Sequence, residues 1–550
     1  MALALIPKAL AALFLGALLA GQPVPGVAQP RLPTLGDGSD LTTSAERRLG
    51  DRIIRELYRD PDYIDDLVIA DYVQGIWQPL LAAARARGEL SPELDERFAW
   101  EILLGRDRTV NAFALPGGYL GLHLGLIGVV ATRDELASVL AHELSHVTQR
   151  HISRLISQQG KQTPLLLGAM VLAALAASKS PGATQALVVG GQALVMQNQL
   201  NFSRDMEREA DRIGYGLMAP AGFSPLGFVT MFDKLQRANR LNDNGSWPYL
   251  RSHPLTTERA ADMHSRVPPG DAASLAAKPP TLEHAMIAAR ARVLSNPGVD
   301  TLRQWIAEPQ GTGFAALPAS RRVAVLYAAA LASNQLRDPL TARAMAKKLQ
   351  DLARNEPSAE RLVRLLNAEI DLAAGDATEA LAALPPLIRP VALIAPKAST
   401  AQTIAVDSTG SANSTGSAMP LLSREAAQSG DASVGRPELL LRTQALLRLG
   451  RAIEITGALQ TWVTTHPKDA TAWQTLASVW QAQGQALRSV RAEAEAQAAQ
   501  YDYAAAVDRF KAGQDLARRG GASVDHIEAS IIDTRLRTMQ SLLKEQAAER

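Results

Sequence analysis

The stretch AHELSH, residues 141–146, decides how the rest of this sequence is interpreted. Two histidines four residues apart return to the same face of a helix after about one turn, so both imidazoles can reach one metal ion. Glu143 then lies beside the first imidazole, where it can accept a proton from a metal-activated water. The stretch therefore supplies two candidate metal ligands, His142 and His146, and a candidate catalytic base. Two buried histidines without a metal are the alternative.

The sequence around this motif has the periodicity of a helix. Thr132, with Glu135 three residues later, has the signature of a capping box. Apolar residues then recur close to every 3.6 positions. The motif is predicted to lie inside one helix that runs from Asp134 to about Ile156.

A catalytic zinc normally has three protein ligands and keeps its fourth position for water, so a third donor is expected further along the chain. Residues 203–212 have the pattern of a second helix, on which Glu207 and Asp211 lie one turn apart on one face. Glu207 is the predicted third ligand. Asp211 is predicted to accept a hydrogen bond from His142 or His146. Without the histidine motif, the same run would indicate a solvated charged face.

These segments together resemble the gluzincin family that holds the CAAX prenyl proteases and the heat-shock membrane protease. The resemblance also rests on NAFALPGG at residues 111–118 and on SHP at residues 252–254. It spans about residues 45–265. The secreted, repeat-bearing branch of that family, the beta-barrel assembly-enhancing protease type, is the most similar to this sequence.

The resemblance implies a zincin-type metalloprotease domain with one Zn²⁺ per chain. It also implies that Asn111, Ala112 and Phe113 form a strand that binds substrate. An extended peptide can add to a free strand edge through main-chain hydrogen bonds, which would give broad specificity. A purely structural hairpin strand fits the same alternation of residues.

His253 is similar to a family position close to the metal. There its imidazole either donates to the oxyanion of the reaction or, in a closed state, occupies the position of the water and switches the site off. An ordinary turn histidine is the alternative. Arg259 is assigned to the same loop or to the developing charge. His151 and His123 have no comparable spacing and are interpreted as structural or surface residues.

The N-terminal residues 1–28 have the features of a cleavable signal peptide, with Lys8 before an apolar stretch and small residues before Gln29. An uncleaved anchor is the alternative. The chain has no cysteine, which excludes a disulfide framework. The predicted location is the periplasm. A net charge of +2 with interspersed signs gives no indication of a nucleic-acid partner.

The apolar run at residues 164–177 is too short for an ordinary transmembrane helix, and a second stretch rich in alanine, valine and glycine lies around residues 186–196. They are predicted to be helices that cover the active site, or that make peripheral contact with a membrane surface.

From about residue 281 the sequence becomes rich in alanine and leucine. Gly450 recurs as Gly484 at a 34-residue offset, and Trp473 and Trp480 stand at tetratricopeptide spacings between them. The same inter-helix turn is predicted at Gly375-Asp376 and Asp502-Tyr503. The predicted architecture is mainly α with a small β-sheet. It comprises a protease domain (40–270), tetratricopeptide-like helices of an α-solenoid (281–390 and 437–545) and a low-complexity, disordered insertion (391–436).

Together these features predict an exported zinc-dependent endopeptidase that cleaves unfolded or misassembled envelope proteins. The repeat domain is predicted to recruit clients or the outer-membrane assembly machinery. The alternative is a periplasmic chaperone or assembly scaffold whose protease site is normally closed. Two imidazoles and a carboxylate suit zinc best, but cobalt and copper accept the same donors.

Overall fold

The predicted helical character is confirmed in a computed structural model, which describes residues 41–158, 203–240, 246–267, 280–386, 435–520 and 525–548. None of the helices in these ranges combines the length and the apolar character that are needed to cross a bilayer. The predicted signal peptide, the apolar segment 164–196 and nearly all of the tract 391–436 lie outside the described residues.

The described part of the N-terminal half contains helices and a small sheet. The helices are α1 (Thr43–Tyr58), α2 (Leu67–Ala86), α3 (Pro92–Arg97), α4 (Leu124–Val129), α5 (Arg133–Thr148), α6 (His151–Gln158), α7 (Arg204–Met218), α8 (Leu226–Arg240), α9 (Tyr249–Ser252) and α10 (Thr257–Ser265). The histidine motif lies on α5, and α7 and α8 both pack against it.

The predicted small sheet is present and has four described strands. They are β1 (Tyr63–Ile64), β2 (Glu101–Gly105), β3 (Ala112–Leu115) and β4 (Tyr119–His123), in the order β1-β2-β4-β3. β4 runs parallel to β2 and antiparallel to β3. The turn between β3 and β4 contains Gly117 and Gly118, whose φ angles of 78° and 85° favour glycine. β3 is therefore an edge strand within the described sheet.

The N-terminus of α5 is capped by side chains. The hydroxyl of Thr132 accepts a hydrogen bond from the backbone N–H of Glu135 at 3.1 Å, as predicted. The carboxylate of Glu135 accepts from the backbone N–H of Ala131 at 2.6 Å, whereas in a full capping box it would accept from Thr132. The start of the helix is thus fixed by two side chains, although the capping box itself is modified.

The prediction of one continuous helix over residues 134–156 is wrong. α5 ends at Thr148 and α6 begins at His151. Between them Arg150 has a φ angle of 53°, which helical backbone does not allow. The guanidinium of Arg150 donates to the carboxylate of Glu46 at 3.0 and 3.1 Å, and this ion pair holds the chain in its new direction.

The helices that follow residue 280 pack one after another along the chain. They are α11 (Leu282–Leu294), α12 (Val299–Ala307), α13 (Ala319–Gln335), α14 (Pro339–Ala353), α15 (Pro357–Ala374), α16 (Ala377–Ala383), α17 (Arg436–Arg448), α18 (Thr456–Thr465), α19 (Ala470–Ala482), α20 (Ala486–Ala499), α21 (Tyr503–Arg519) and α22 (His526–Ala548).

The turns predicted between these helices are confirmed. Gly450 and Gly484, which share the 34-residue offset, both follow helix ends with φ angles of 69° and 72°. Gly375 ends α15 with a φ of 92°. Trp473 and Trp480, which lie at the tetratricopeptide spacings, are both buried. The assignment of these helices to tetratricopeptide repeats stays a prediction.

The later helices pack directly on the N-terminal half of the chain. Arg290 on α11 donates to Asp66, the N-cap of α2, at 2.7 and 2.8 Å. The same guanidinium donates to Glu369 on α15 at 2.7 and 2.8 Å. Ala285 of α11 belongs to the same hydrophobic core as Leu136 of α5. One hydrophobic core therefore receives residues from helices on both sides of residue 280.

Candidate metal centre

His142 and His146 point from one face of α5 toward the same place. Their Nε2 atoms are 3.0 Å apart. Both side chains are buried, which distinguishes them from surface histidines. The four-residue spacing therefore has the geometric result that the sequence predicts.

Packing of α7 against α5 brings Glu207 to the same place. Its Oε1 atom is 3.5 Å from Nε2 of His146, and its Oε2 atom is 3.5 Å from Nε2 of His142. The N-terminus of α7 is fixed by Ser203, whose hydroxyl accepts a hydrogen bond from the backbone N–H of Met206 at 3.2 Å. Glu207 thus lies close to a capped helix end, which limits its movement.

These three side chains fit a zinc ion. Zinc–nitrogen distances of about 2.0–2.1 Å put two ligands of a tetrahedral ion about 3.4 Å apart. The separations among His142, His146 and Glu207 are 3.0, 3.5 and 3.5 Å. Two imidazoles and one carboxylate are also a donor set that suits zinc.

His253 lies inside the same group. Its Nδ1 atom is 3.0 Å from Oε1 of Glu207 and 3.3 Å from Nε2 of His142. The candidate ligand atoms of His142, His146, Glu207 and His253 all lie within 4.8 Å of one another. Tyr249 stacks on the His253 ring with centroids 4.6 Å apart, which fixes the plane of the imidazole. His253 therefore occupies a place suited to a fourth ligand.

Glu143 is fully buried beside this group. One of its carboxylate oxygens is 3.4 Å from Nε2 of His253, but neither oxygen has a hydrogen-bond partner among the residues that the structure describes. Burying a carboxylate without a donor is costly, so such a group needs a functional explanation. A general base has to offer a free oxygen to the proton that it accepts.

Asp211 and Arg259 support the candidate ligands. Oδ1 of Asp211 is 3.0 Å from Nδ1 of His142. Arg259 donates two hydrogen bonds to Asp211 at 2.7 and 2.8 Å, and its Nη1 atom is 2.8 Å from Oε2 of Glu207. Arg259, whose role the sequence leaves open, thus contacts both Glu207 and the partner of His142.

These charges set the protonation of the site. Burial alone would lower the pKa of His142, but its hydrogen bonds to Asp211 and Glu207 raise the pKa to about 10. Burial would raise the pKa of Asp211, yet Arg259 and His142 hold this pKa below its usual value. Asp211 is therefore a carboxylate that accepts from Nδ1–H of His142, which directs Nε2 of that ring toward the other ligands. A metal ion that binds Nε2 would displace the proton that the raised pKa places on this atom.

A family model described as Peptidase family M48 matches residues 80–267, the span that holds every group described above. Residues 80–267, which we call the M48 domain, are therefore similar to Peptidase family M48. Relatives of known name agree with this assignment. A beta-barrel assembly-enhancing protease of Escherichia coli (strain K12) is 32% identical to this chain over 265 residues. The aligned segment covers 48% of this chain and 52% of the relative.

Two further relatives are similar to the same part of the chain. A Vibrio cholerae protein, provisionally named a beta-barrel assembly-enhancing protease, is 34% identical over 283 residues, which are 50% of this chain and 55% of the relative. A mitochondrial metalloendopeptidase of Arabidopsis thaliana, OMA1, is 33% identical over 165 residues, which are 30% of this chain and 31% of the relative. The matched segment spans about half the length of the two bacterial relatives.

Sequence reasoning missed one contact of the M48 domain. His151, interpreted as a structural or surface residue, is buried with its Nδ1 atom 2.9 Å from Nδ1 of His146. Its Nε2 atom is 3.0 Å from Oε2 of Glu209. The spacing from His146 gives no signal of this contact, because it depends on the break in the helix at Arg150.

The predicted substrate-binding residues lie on or just before the edge strand of the M48 domain. Ala112 and Phe113 belong to β3, which packs beside α5, and Asn111 precedes them. Asn111 is buried, and its side-chain oxygen has no hydrogen-bond partner among the described residues. The ring of Phe113 meets that of His123, whose Nδ1 atom is 3.0 Å from Oγ1 of Thr109. Substrate binding by these residues stays a prediction.

The close approach of α7 to α5 depends on Gly214. A methyl group at this position would lie 2.9 Å from the ring of Phe228 and 3.1 Å from the backbone of Ala141, the residue before His142. We therefore expect Gly214→Ala to lower the free energy of unfolding by about 1–3 kcal/mol, since overpacking forces the helices apart. Urea titration measures this change, and competition with a chelator measures the accompanying loss of zinc affinity.

Gly216→Ala is the matched control on the same helix. The atoms nearest to its methyl group would belong to the flexible end of the Arg87 side chain, at 2.9 Å. Equal zinc affinities in the two variants would show that the spacing between α7 and α5 does not position Glu207.

Proposed function

We propose that this chain is a zinc-dependent endopeptidase. The observation that carries the proposal is the position of Glu143, a buried carboxylate without a hydrogen-bond partner among the described residues, next to four converging ligand groups. A merely structural metal site is closed by its ligands and has no use for such a base. The similarity of the M48 domain to a peptidase family supports the same conclusion.

The residues of the site divide the work of peptide hydrolysis. His142, His146 and Glu207 would hold a zinc ion, which would supply the Lewis acid needed to polarise the scissile carbonyl and to lower the pKa of water. Glu143 accepts a proton from the attacking water and later gives it to the leaving amine nitrogen, so that one O–H and one C–N bond break while one C–O and one N–H bond form. Asp211 holds His142 in the tautomer that leaves Nε2 available.

The proposed substrates are unfolded or misassembled proteins of the bacterial envelope. The edge strand β3 beside α5 offers main-chain groups to an extended peptide of any sequence. The names of the bacterial relatives connect them with β-barrel assembly. The helices after residue 280 are proposed to recruit clients or the outer-membrane assembly machinery. The periplasm is the proposed location, on the strength of the signal-peptide features of residues 1–28.

Cleavage of casein tests the enzymatic part of this proposal. Cleavage by the zinc-loaded chain should cease with a chelator and return when zinc is added. An endopeptidase function would be contradicted if the native chain and the variant His253→Ala each bind one zinc ion and both leave casein intact.

A second candidate function is that of a periplasmic chaperone or assembly scaffold whose protease site is normally closed. The observation that favours it is the position of His253, with Nδ1 at 3.0 and 3.3 Å from two of the other ligand residues. An imidazole at this place takes up the position that catalysis keeps for water. The two candidates are compatible if the site opens when a client is bound.

We expect His253→Ala to increase casein cleavage, because the variant removes the fourth candidate ligand. A closed state favoured by about 1.4 kcal/mol would give an increase of about tenfold. Zinc content, measured alongside, should be unchanged, because the other three ligands remain. The matched control is His264→Ala, which removes a histidine that is half-exposed and pairs with Asp233.

The opposite result separates the two roles that the sequence leaves open for His253. A loss of cleavage with zinc retained would assign the imidazole to the oxyanion and would contradict the closed-site interpretation.

A further inference from the structure

The two histidines of α5 are supported in different ways. Nε2 of His146 faces Glu207 and His142, and its Nδ1 atom is 2.9 Å from Nδ1 of His151. His151 is completely buried, and its Nε2 atom is 3.0 Å from Oε2 of Glu209. These contacts connect His146 to a carboxylate through a second imidazole, whereas His142 meets the carboxylate of Asp211 directly.

Only one arrangement of protons satisfies this chain of contacts when a metal is bound. If Nε2 of His146 offers its lone pair to the metal, Nδ1 of the same ring must carry the proton. Nδ1 of His151 must then accept that proton's hydrogen bond, so Nε2 of His151 carries a proton of its own. The carboxylate of Glu209 accepts from it and has no proton to return, which fixes the direction of every bond.

We propose that His151 and Glu209 are positioning residues that orient His146 as a metal ligand. The proposal rests on the function proposed above, because it presumes that a metal binds at this site. Hydrogen bonds from ligand imidazoles to outer groups fix the orientation of the ring and raise its basicity. Each histidine of the motif is thus connected to a carboxylate. His142 contacts Asp211 directly, and His146 is connected to Glu209 through His151.

The partly exposed contacts of Glu209 contribute little to the stability of the fold. Glu209 is also 2.9 Å from Nη1 of Arg154, and the two side chains are 30% and 41% exposed. Exposed ion pairs of this kind contribute little to stability. The effect of Glu209 is therefore expected at the metal rather than in the free energy of unfolding.

The experiment measures metal binding directly in the native full chain and in four variants of it. Zinc affinity is obtained by competition with a chromophoric chelator, and the absorption spectrum of the Co²⁺-substituted protein reports the geometry of the ligands. His151→Phe removes the acceptor for His146 and should weaken zinc binding by about 10–100-fold. His151→Asn can place an amide oxygen close to the position of Nδ1 and should recover most of that loss.

Glu209→Leu changes a partly exposed residue and leaves the buried packing intact. It should weaken zinc binding and shift the Co²⁺ spectrum in the same direction as His151→Phe, by a smaller amount. His264→Phe is the control, since His264 forms a comparable pair with Asp233 at 2.9 Å on the surface and is not part of the metal group. It should leave both readouts unchanged.

The outcomes separate the two proposals. A native chain that binds no metal would overturn the proposed function. Native zinc affinity and an unchanged Co²⁺ spectrum in His151→Phe and Glu209→Leu would overturn only the positioning role. Equal losses in His151→Phe and His151→Asn, with Glu209→Leu unaffected, would also overturn it, because they would assign His151 to packing.

Discussion

Glu143→Gln is expected to reduce casein cleavage at least about 100-fold, which is the lower end of what a general base contributes. The amide keeps the size of the carboxylate but cannot accept the proton of water. Since Glu143 has no hydrogen-bond partner among the described residues, its replacement breaks no hydrogen bond there. Zinc content and thermal stability should therefore equal those of the native chain or exceed them, because a buried carboxylate without a hydrogen bond has been removed.

Glu258→Gln is the matched control for this variant. Glu258 lies on α10 with 76% of its side chain exposed, so its neutralisation should change neither cleavage nor stability. Cleavage at the native rate by Glu143→Gln, with zinc bound, would assign the base to another residue.

The largest expected effect on stability comes from Arg290. Its guanidinium binds the carboxylates of Asp66 and Glu369, and the three side chains are 5%, 8% and 16% exposed. Arg290→Met would leave both carboxylates buried without their partner. We expect the free energy of unfolding, measured by urea titration, to fall by about 3–5 kcal/mol.

Two further variants identify the cause. Arg303→Met removes a guanidinium that is 71% exposed beside Asp300, and it should change the free energy of unfolding by less than about 0.5 kcal/mol. Replacing Arg290, Asp66 and Glu369 together by Met, Asn and Gln removes all three charges and should recover most of the loss. If Arg290→Met alone were as stable as the native chain, this ion network would not join the two parts of the molecule.

The groups that converge at the candidate site could be found from the sequence because most of them follow local rules. His142 and His146 share a helix face at a spacing of four, and Glu207 and Asp211 do the same on the second helix. The turns at Gly375, Gly450 and Gly484 could be predicted because the left-handed backbone that ends a helix favours glycine.

His151 could not be found in this way. In a continuous helix its position, five residues after His146, would point about 140° away from that histidine. Because the helix breaks at Arg150, this angle does not apply, and the His151 side chain contacts His146. At this break Arg150 forms an ion pair with Glu46, which is distant in the sequence. Long-range contacts of this kind leave no periodic signal.

The relation between the predicted domains was also not apparent from composition. The change in amino-acid usage near residue 281 indicates a new kind of architecture, but Ala285 of α11 shares its hydrophobic core with α5. His284, which also lies on α11, has its Nε2 atom 3.0 Å from the carbonyl oxygen of Val130. Removing residues 281–550 would therefore expose the core of the M48 domain, and client recruitment is better tested by surface substitutions in the full chain.

The most direct test is the metal content of the full chain beside that of Glu207→Ala, measured by mass spectrometry after zinc loading and removal of excess metal. We expect one zinc ion per native chain. The variant should retain its fold by circular dichroism and lose the ion, because two imidazoles remain where a catalytic zinc needs three protein ligands. A native chain without zinc, or a variant that keeps one full equivalent, would contradict the assignment of His142, His146 and Glu207 as the metal site.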